Sequence, residues 1–559
     1  MDECGKTPAA AQHRVELSRK DLEAILGHAK AALSEEEFAT LKGALETLEF
    51  LTRELEKKSV SVQRLKQWLF GATTETTAKV IEKILERAAA DKTPAAEGTE
   101  AGPAKKPRGH GRTGAAAYGG ARTVQVPLAT LRPGDACPNC AKGRVYASCQ
   151  PGLIVRLTGQ APIGGVVYEL QKLRCSLCGE VFSAEPPPGV GQDKYDAESA
   201  AMIGLLKYGV GLPFHRLERL QQGLGIPLPA ATQWEIVAQT AGNLAPALRE
   251  LIRLAAQGQV LHNDDTTMKV LALGGAATGP APPAAQLAED RDRPEQAGGR
   301  VGVFTSGIVS KVADHVIALF FTGHKHAGEN LLDLLRHRSG ELGPAIQMCD
   351  ALSRNVPQEL KTLLAHCLAH GRRRFVDVAG SFPQECIQVL EILKDVYRND
   401  AIAKGQGMSP EQRLHFHQAQ SGPRMADLDA WMATQIEQRK VEPNSGLGEA
   451  IAYMRKHWKE LTLFLRVPGT PLDNNVCERA LKKAILHRKN SYFYRTENGA
   501  RVGDLFMSLI HTCELNDANP FRYLTELQKH APELAATPAD WMPWNYLRTL
   551  ESTSHRPTG

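Results

Sequence analysis

The chain has 559 residues, which at the usual domain size suggests roughly three or four folded units. Hydrophobic residues make up 42% and charged residues 23%, no apolar run reaches the ~18–20 residues of a membrane span, and the first residues carry no apolar leader core. The 11 cysteines are sparse and odd in number, so the composition argues against a membrane, secreted, collagenous or wholly disordered protein and predicts a cytoplasmic one. Residues 17–90 predict helix. Leu41, Leu48, Leu55, Val62 and Leu69 repeat every seven residues, while a second stripe through Ala44, Leu51 and Leu65 is broken by Lys58. A coiled coil needs both stripes, so self-association and an amphipathic helix packed on its own protein both stay open.

Residues 91–135 predict a basic flexible linker rich in Ala, Gly, Pro and Lys. Between 101 and 134 it carries Lys105, Lys106, Arg108, Arg112, Arg122 and Arg132 and no acid. Residues 136–185 predict a small β module holding two CxxC knuckles, Cys137–Cys140 and Cys175–Cys178. Each knuckle sets two thiolates on one side of a tight turn, and two knuckles close a tetrahedral four-sulfur zinc site. With no open ligand position the zinc is structural, and it supplies much of the folding energy of so small a unit. Cys149, between the knuckles, is a bystander.

Residues 195–258 return to helix. The break at Gly225-Ile226-Pro227-Leu228-Pro229, with Thr232 as N-cap, leaves a helix-turn-helix and plain helical packing both open. From 259 strands and helices alternate. Val260–His262, Val270–Leu273, Val301–Ser310, His315–Phe321, Ala345–Cys349 and Leu363–Leu368 read as strands or apolar runs, and Glu329–Leu335 as a helix. A helical stretch follows over about 385–465, then helix and turn toward the C-terminus.

Three acids stand out. Asp264 follows the apolar run at 260–262, Asp350 follows the strand ending at Cys349, and Glu478 sits where a loop enters a helix. Carboxylates at strand ends face the crevice of an α/β sheet and suit hard divalent cations. Taken by spacing alone, each could equally be a cap or a surface ion-pair partner, Asp473 as the N-cap of that helix and Glu478 with Lys482. From Arg479 to Arg501 the chain also carries Lys482, Lys483, Arg488, Lys489 and Arg495 against the single acid Glu497, a pattern that suits a polyanion or a solvated surface.

Leu472-Asp473-Asn474-Asn475 followed by Glu478-Arg479-Ala480-Leu481 resembles the third-acid motif of transposases of the insertion sequence 66 family. Cys367-Leu368-Ala369-His370-Gly371-Arg372-Arg373 resembles that family's Cys-Trp-Ala-His-x-Arg-Arg block, and the two knuckles resemble its zinc module. Leu69-Phe70-Gly71, Leu212-Pro213-Phe214-His215-Arg216 and the segments His511–Asn516 and Pro520–Leu524 follow in the same order, so the likeness spans about residues 40–530. It implies a multidomain α+β protein. A ribonuclease-H-like α/β catalytic core would occupy 259–490, with a helical insertion at about 385–465 and a C-terminal helical segment at 491–540.

The resemblance further implies a DDE triad of Asp264, Asp350 and Glu478 holding magnesium or manganese, beside the structural zinc. The activity implied is cutting of DNA at the ends of an insertion sequence and joining of the 3′-hydroxyl ends to target DNA. Contacts to DNA would fall to His370, Arg372, Arg373, Lys482, Lys483, Arg488 and Lys489. The family also implies a homo-oligomer, small helper proteins and a nucleoid-associated location. The sequence departs from the family at Asp265, Ala351 and Leu368, where Glu, Gly and Trp are usual, and leaves open whether Asp264 or Asp265 faces the metal. A zinc-containing DNA-binding protein with an inert core and a nuclease without strand transfer are the alternatives.

Overall fold

The computed structural model describes Phe38, residues 132–136, Arg144, and residues 161–174, 181–188, 190, 193–273, 302–356 and 361–554. The heptad stripe, most of the basic linker and all four knuckle cysteines lie outside the described residues. Two compact units emerge, one built from Thr93–Leu363 with Asn474–Gly559 and the other from Met1–Lys92 with Leu364–Asp473. None of the described helices is long and apolar enough to cross a membrane.

The first unit is organised around a mixed sheet. A short antiparallel pair, β1 (Lys172–Arg174) and β2 (Val181–Ser183), precedes it. Three helical elements follow: α1 (Ala197–Gly204), α2 (Phe214–Gly223) and the long α3 (Ala230–Ala255). The capping position of α3 is Pro229 rather than Thr232, because its fixed φ already suits the first turn. Val237, Leu244, Ala247 and Leu251 recur at helical spacing and bury the inner face of α3 in the core.

The sheet runs in the order β5-β4-β3-β6-β7. Strands β3 (Val260–Thr267), β4 (Phe304–Val312) and β5 (His315–Gly323) form an antiparallel meander. The β4–β5 turn is only Ala313-Asp314, with Ala313 at a positive φ of 50°. Strand β6 (Ile346–Cys349) runs parallel to β3, reached through α4 (Ala327–Leu335). The chain leaves through the short β7 (Leu363–His366). The expected strand at Val270–Leu273 is instead a single bridge, Val270 with Tyr494, followed by a turn. Of that run only Val270 is buried, while Leu271 and Ala272 are exposed. The N–H groups of Leu271 and Ala272 go to the Tyr494 and Arg495 carbonyls rather than into the sheet.

Among the helices packed against this sheet, two from the C-terminal part of the chain position the site and the edge. Helix α11 (Asn475–Ser491) lies on β3 and β4, and α12 (Glu497–Leu515) lies along the edge strand β5. An unpaired edge exposes backbone donors. Here Asp504, Ser508, Thr512 and Asn516 accept the N–H groups of Thr322, Phe320, Ala318 and Val316, at 2.7, 3.0, 3.1 and 3.2 Å. Four helical residues advance ~6.0 Å and two strand residues ~6.7 Å, so the two repeats stay in step over this length. The C-terminal helices α13 (Pro520–Lys529), α14 (Ala531–Ala536) and α15 (Tyr546–Ser554) complete the unit, so the helical tail runs beyond the expected limit of 540. Trp541, Tyr523 and Tyr546 are buried among them.

The second unit, where described, is helical from Leu368, well before the expected start at 385. It comprises α5 (Leu368–Val378), α6 (Pro383–Gly405), α7 (Pro410–Gln420), α8 (Gly422–Glu437), α9 (Gly446–Lys456) and α10 (Trp458–Leu461). Ser409 and Ser445 cap α7 and α9, each accepting a backbone N–H three residues on. Phe375, Leu390, Leu393, Val396, Leu428, Met432, Ile451 and Met454 form the core. Within it Asp400 is held by Arg413, Lys404 and His417.

Candidate active site

The site begins with strand register. Pairing of β3 with β6 sets Val260 beside Ile346 and His262 beside Met348. Continued for two residues, the same parallel register brings Asp264 level with Asp350, on strands ~4.8 Å apart. Asp264 itself lies inside β3, opposite Gly307 of β4, rather than beyond the strand's end. The polar half of β3 remains a strand because β4 pairs with it throughout.

Neighbouring residues of a strand point to opposite faces. The carboxylate of Asp265 is buried and accepts from Arg354 at 3.2 Å and from His326 Nδ1 at 3.0 Å. Asp264 faces the other way. Burial first, then the neighbouring charge of Asp350, push its carboxyl up to about 8. The Asp265 backbone N–H, donating at 2.8 Å, pulls it back, while the charges of Asp265 and Glu478 add to the rise. Asp264, Asp350 and Glu478 are therefore electrostatic neighbours, although 86 and 128 residues separate them in turn.

Glu478 lies in the first turn of α11, where the helix dipole favours a negative charge. Gly307 lets that helix come close: a Cβ there would sit 3.0 Å from the Leu481 side chain. Cys477, buried beside it, donates to the Gly307 carbonyl at 3.3 Å. The capping position of α11 is Asn474, not Asp473, and its side chain reaches the sheet instead of capping the helix. Asn474 Nδ2 donates to the Asn263 carbonyl and Oδ1 meets His262 Nδ1, both at 3.1 Å.

Beneath the acids runs a layer of buried amides. Gln347 donates to Asn263 Oδ1 at 2.9 Å and to the Asn355 carbonyl at 2.7 Å. Asn263 donates to the same carbonyl at 2.8 Å, and Asn355 Nδ2 donates to Asp350. Leu352 N also donates to Asp350, at 3.3 Å. Such a layer fixes side-chain directions, since each unmade bond there costs about 1–3 kcal/mol. Among these amides Asn474 lies in the third-acid motif, Asn263 directly precedes Asp264 and Gln347 sits in the run before Asp350, while Asn355 carried no signal in the sequence.

The basic residues of α11 divide by surroundings. Lys482 and Lys489 are exposed. Lys483 makes an ion pair with Glu514 at 2.8 Å. Arg488 is half-buried and donates to the hydroxyls of Thr266 and Thr267 and to the Thr267 carbonyl, clasping the end of β3. His370, Arg372 and Arg373 belong to α5 of the other unit, where His370 and Arg372 are half-buried and Arg373 is exposed. The adjacent Arg374 stacks over Tyr453 at 4.0 Å.

The ligand atoms gathered beside β3 and β6 are carboxylate oxygens, which suit a hard divalent cation. Burial first, and then the neighbouring carboxylates, raise Asp264, and a cation among them would offset both.

A family profile described as "Transposase IS66 family" matches residues 194–502, from just before α1 into α12. The chain is also similar to three curated proteins of Sinorhizobium fredii (strain NBRC 101917 / NGR234), each titled only as uncharacterized. It is 27% identical to protein y4jD over 66% of this chain and 70% of the relative. It is 24% identical to y4hP over 68% of each chain, and 26% identical to y4qI over 62% of each. With residues 194–502, more than half of its length, matched, the chain belongs to the IS66 family of transposases.

Proposed function

We propose that the protein cuts DNA at the ends of an insertion sequence and joins the freed 3′-hydroxyls to target DNA. The observation that supports this reading is that Asp264, on the central strand β3, interacts electrostatically with both Asp350, just past β6, and Glu478 of α11. These three residues would hold magnesium or manganese. Bound there, the divalent cations supply activation of the attacking water or 3′-hydroxyl and neutralise charge at the phosphate.

The chain's own residues do the positioning. The buried amides hold Asp350 and the end of β3, Asp265 is tied away by Arg354 and His326, and Arg488 steadies Thr266 and Thr267. Lys482 and Lys489 project from the helix that carries Glu478 and contact the DNA backbone, which orients the duplex without reading its sequence. Lys483 and Arg488 serve mainly to brace that helix, while His370, Arg372 and Arg373 offer further phosphate contacts from α5. Cys137, Cys140, Cys175 and Cys178 form a structural zinc site. The bridge Ala136–Arg144 and the β1–β2 pair bracket the two knuckles, as antiparallel segments do around zinc-binding turns. A homo-oligomer on the nucleoid, with small helper proteins, is the working form.

Asp264→Asn, Asp350→Asn and Glu478→Gln are each expected to abolish divalent-dependent strand cleavage while DNA binding persists. Normal cleavage by any one removes that residue from the triad. Pre-cleaved ends that are never joined to a target would leave a nuclease instead of a transposase.

A further inference from the structure

The helical unit holds a second cluster with metal-ligand chemistry, apart from the carboxylates and the cysteine knuckles. His366 ends β7, His457 follows the last turn of α9, and Glu460 lies in α10, three residues beyond His457. One ligand atom from each lies within 4.8 Å of the other two. The imidazoles meet edge to face, with ring centroids 5.0 Å apart and an interplanar angle of 70°.

His366 is the telling residue. It is 5% exposed, and both of its ring nitrogens are buried with no hydrogen-bond partner among the described residues. A buried polar atom left unmatched costs about 1–3 kcal/mol, and such atoms call for a reason. Packing alone gives none, since an aliphatic side chain would fill the place without that cost. A metal ion would, by taking one nitrogen as a ligand. Zinc ligands at ~2.0–2.1 Å lie ~3.4 Å apart around a tetrahedron, so modest side-chain rotations close the present group. Two imidazoles and one carboxylate select zinc and its transition-metal neighbours over magnesium, which prefers oxygen donors alone.

We propose that His366, His457 and Glu460 form a binding site for a zinc-class divalent ion that ties the end of β7 to the α9–α10 turn. With three protein ligands, the fourth position is left to water.

The test uses the full-length protein, stripped with chelator, reloaded with zinc alone, desalted and assayed for bound metal per chain. The His457→Gln/Glu460→Gln double variant changes half-buried positions and keeps the hydrogen-bonding character of the pair. It is expected to bind one zinc fewer than the wild type with an unchanged circular dichroism spectrum. Cys137→Ser/Cys140→Ser is expected to remove a different equivalent, and combining the two pairs should remove both. Equal zinc content in the wild type and the His457/Glu460 variant would overturn the proposal. So would a wild type whose only zinc vanishes with the two cysteines.

Discussion

Replacing Thr512 with Val tests whether α12 truly completes the sheet edge. Valine keeps the shape of threonine and removes the hydroxyl. That hydroxyl accepts the Ala318 N–H at 3.1 Å and approaches the Ala318 carbonyl at 3.2 Å, and both residues are fully buried. Burial shields the site from bulk solvent, so the stranded donor should cost about 1–3 kcal/mol. At ~1.4 kcal/mol per tenfold change, amide exchange at Ala318 should accelerate roughly 5- to 150-fold. Hydrogen exchange resolved to β5 in the full-length protein reads this directly. The neighbouring rungs, Ser508 with Phe320 and Asn516 with Val316, should loosen less. Thr512→Ser retains the hydroxyl and should leave Ala318 protected. If the valine variant exchanges there within twofold of wild type, the side-chain ladder is not what satisfies the edge.

Gly307→Val should push α11 off β4, because even a Cβ at that position would press on Leu481 at 3.0 Å. Strand cleavage is expected to fall more than tenfold with DNA affinity kept, and normal cleavage would show that close approach is not what places Glu478. Asn474→Ala removes the hydrogen bonds to His262 and Asn263, and should lower both the cleavage rate and the denaturant midpoint, by about 1–3 kcal/mol in stability. A rate unchanged in a destabilised protein would confine Asn474 to folding. His487 stacks between Tyr208 and Tyr494, and burial, then the Lys207 charge, hold its imidazole down at about 3. Unfolded histidine titrates near ~6.5, so the unfolded chain takes up a proton that the folded chain refuses, and stability should drop as pH falls from about 6.5 toward 3. His487→Phe should flatten that part of the curve of urea midpoint against pH, and parallel curves for the two proteins would rule out His487 as its source.

Much of the sheet was legible because its strands are apolar runs: 304–312, 315–323 and 346–349 all contain or overlap the stretches read from sequence. The reading failed where pairing or packing overrode composition. Asn263 to Thr267 looks like a loop beyond a strand and is the greater part of one, kept in place by β4. Helix α12 shows the same limit more sharply. Every residue from Val502 to Cys513 is buried, yet Asp504, Ser508 and Thr512 would read as a solvent-facing stripe. Hydrophobic periodicity cannot see a helix whose polar face is buried against backbone donors. At the candidate site the three acids were singled out by context and by family resemblance, whereas the sequence alone left Asp264 and Asp265 indistinguishable. Strand alternation together with Arg354 and His326 separates them, and neither partner is near 265 in sequence.

The contrast between the acids and the amides beneath them bears on how such a site is built. Carboxylates gathered in one place repel one another in the folded chain, and at Asp264 that repulsion adds to the larger effect of burial. Their attraction to a cation cannot place them before the cation arrives, so position has to come from elsewhere. Here it comes from backbone register between β3 and β6, from the absence of a side chain at Gly307, and from Asn263, Gln347, Asn355 and Asn474, which bind one another and the strands through short neutral hydrogen bonds. Apart from the bond from Asn355 to Asp350, these bonds join neutral groups and do not depend on the charge of the acids, so the geometry need not collapse when a cation leaves. On this argument, substitutions among the amides should degrade cleavage even though none of them would touch DNA or metal. Asp265 can vary in identity only so far as Arg354 and His326 still find a partner on that face of β3.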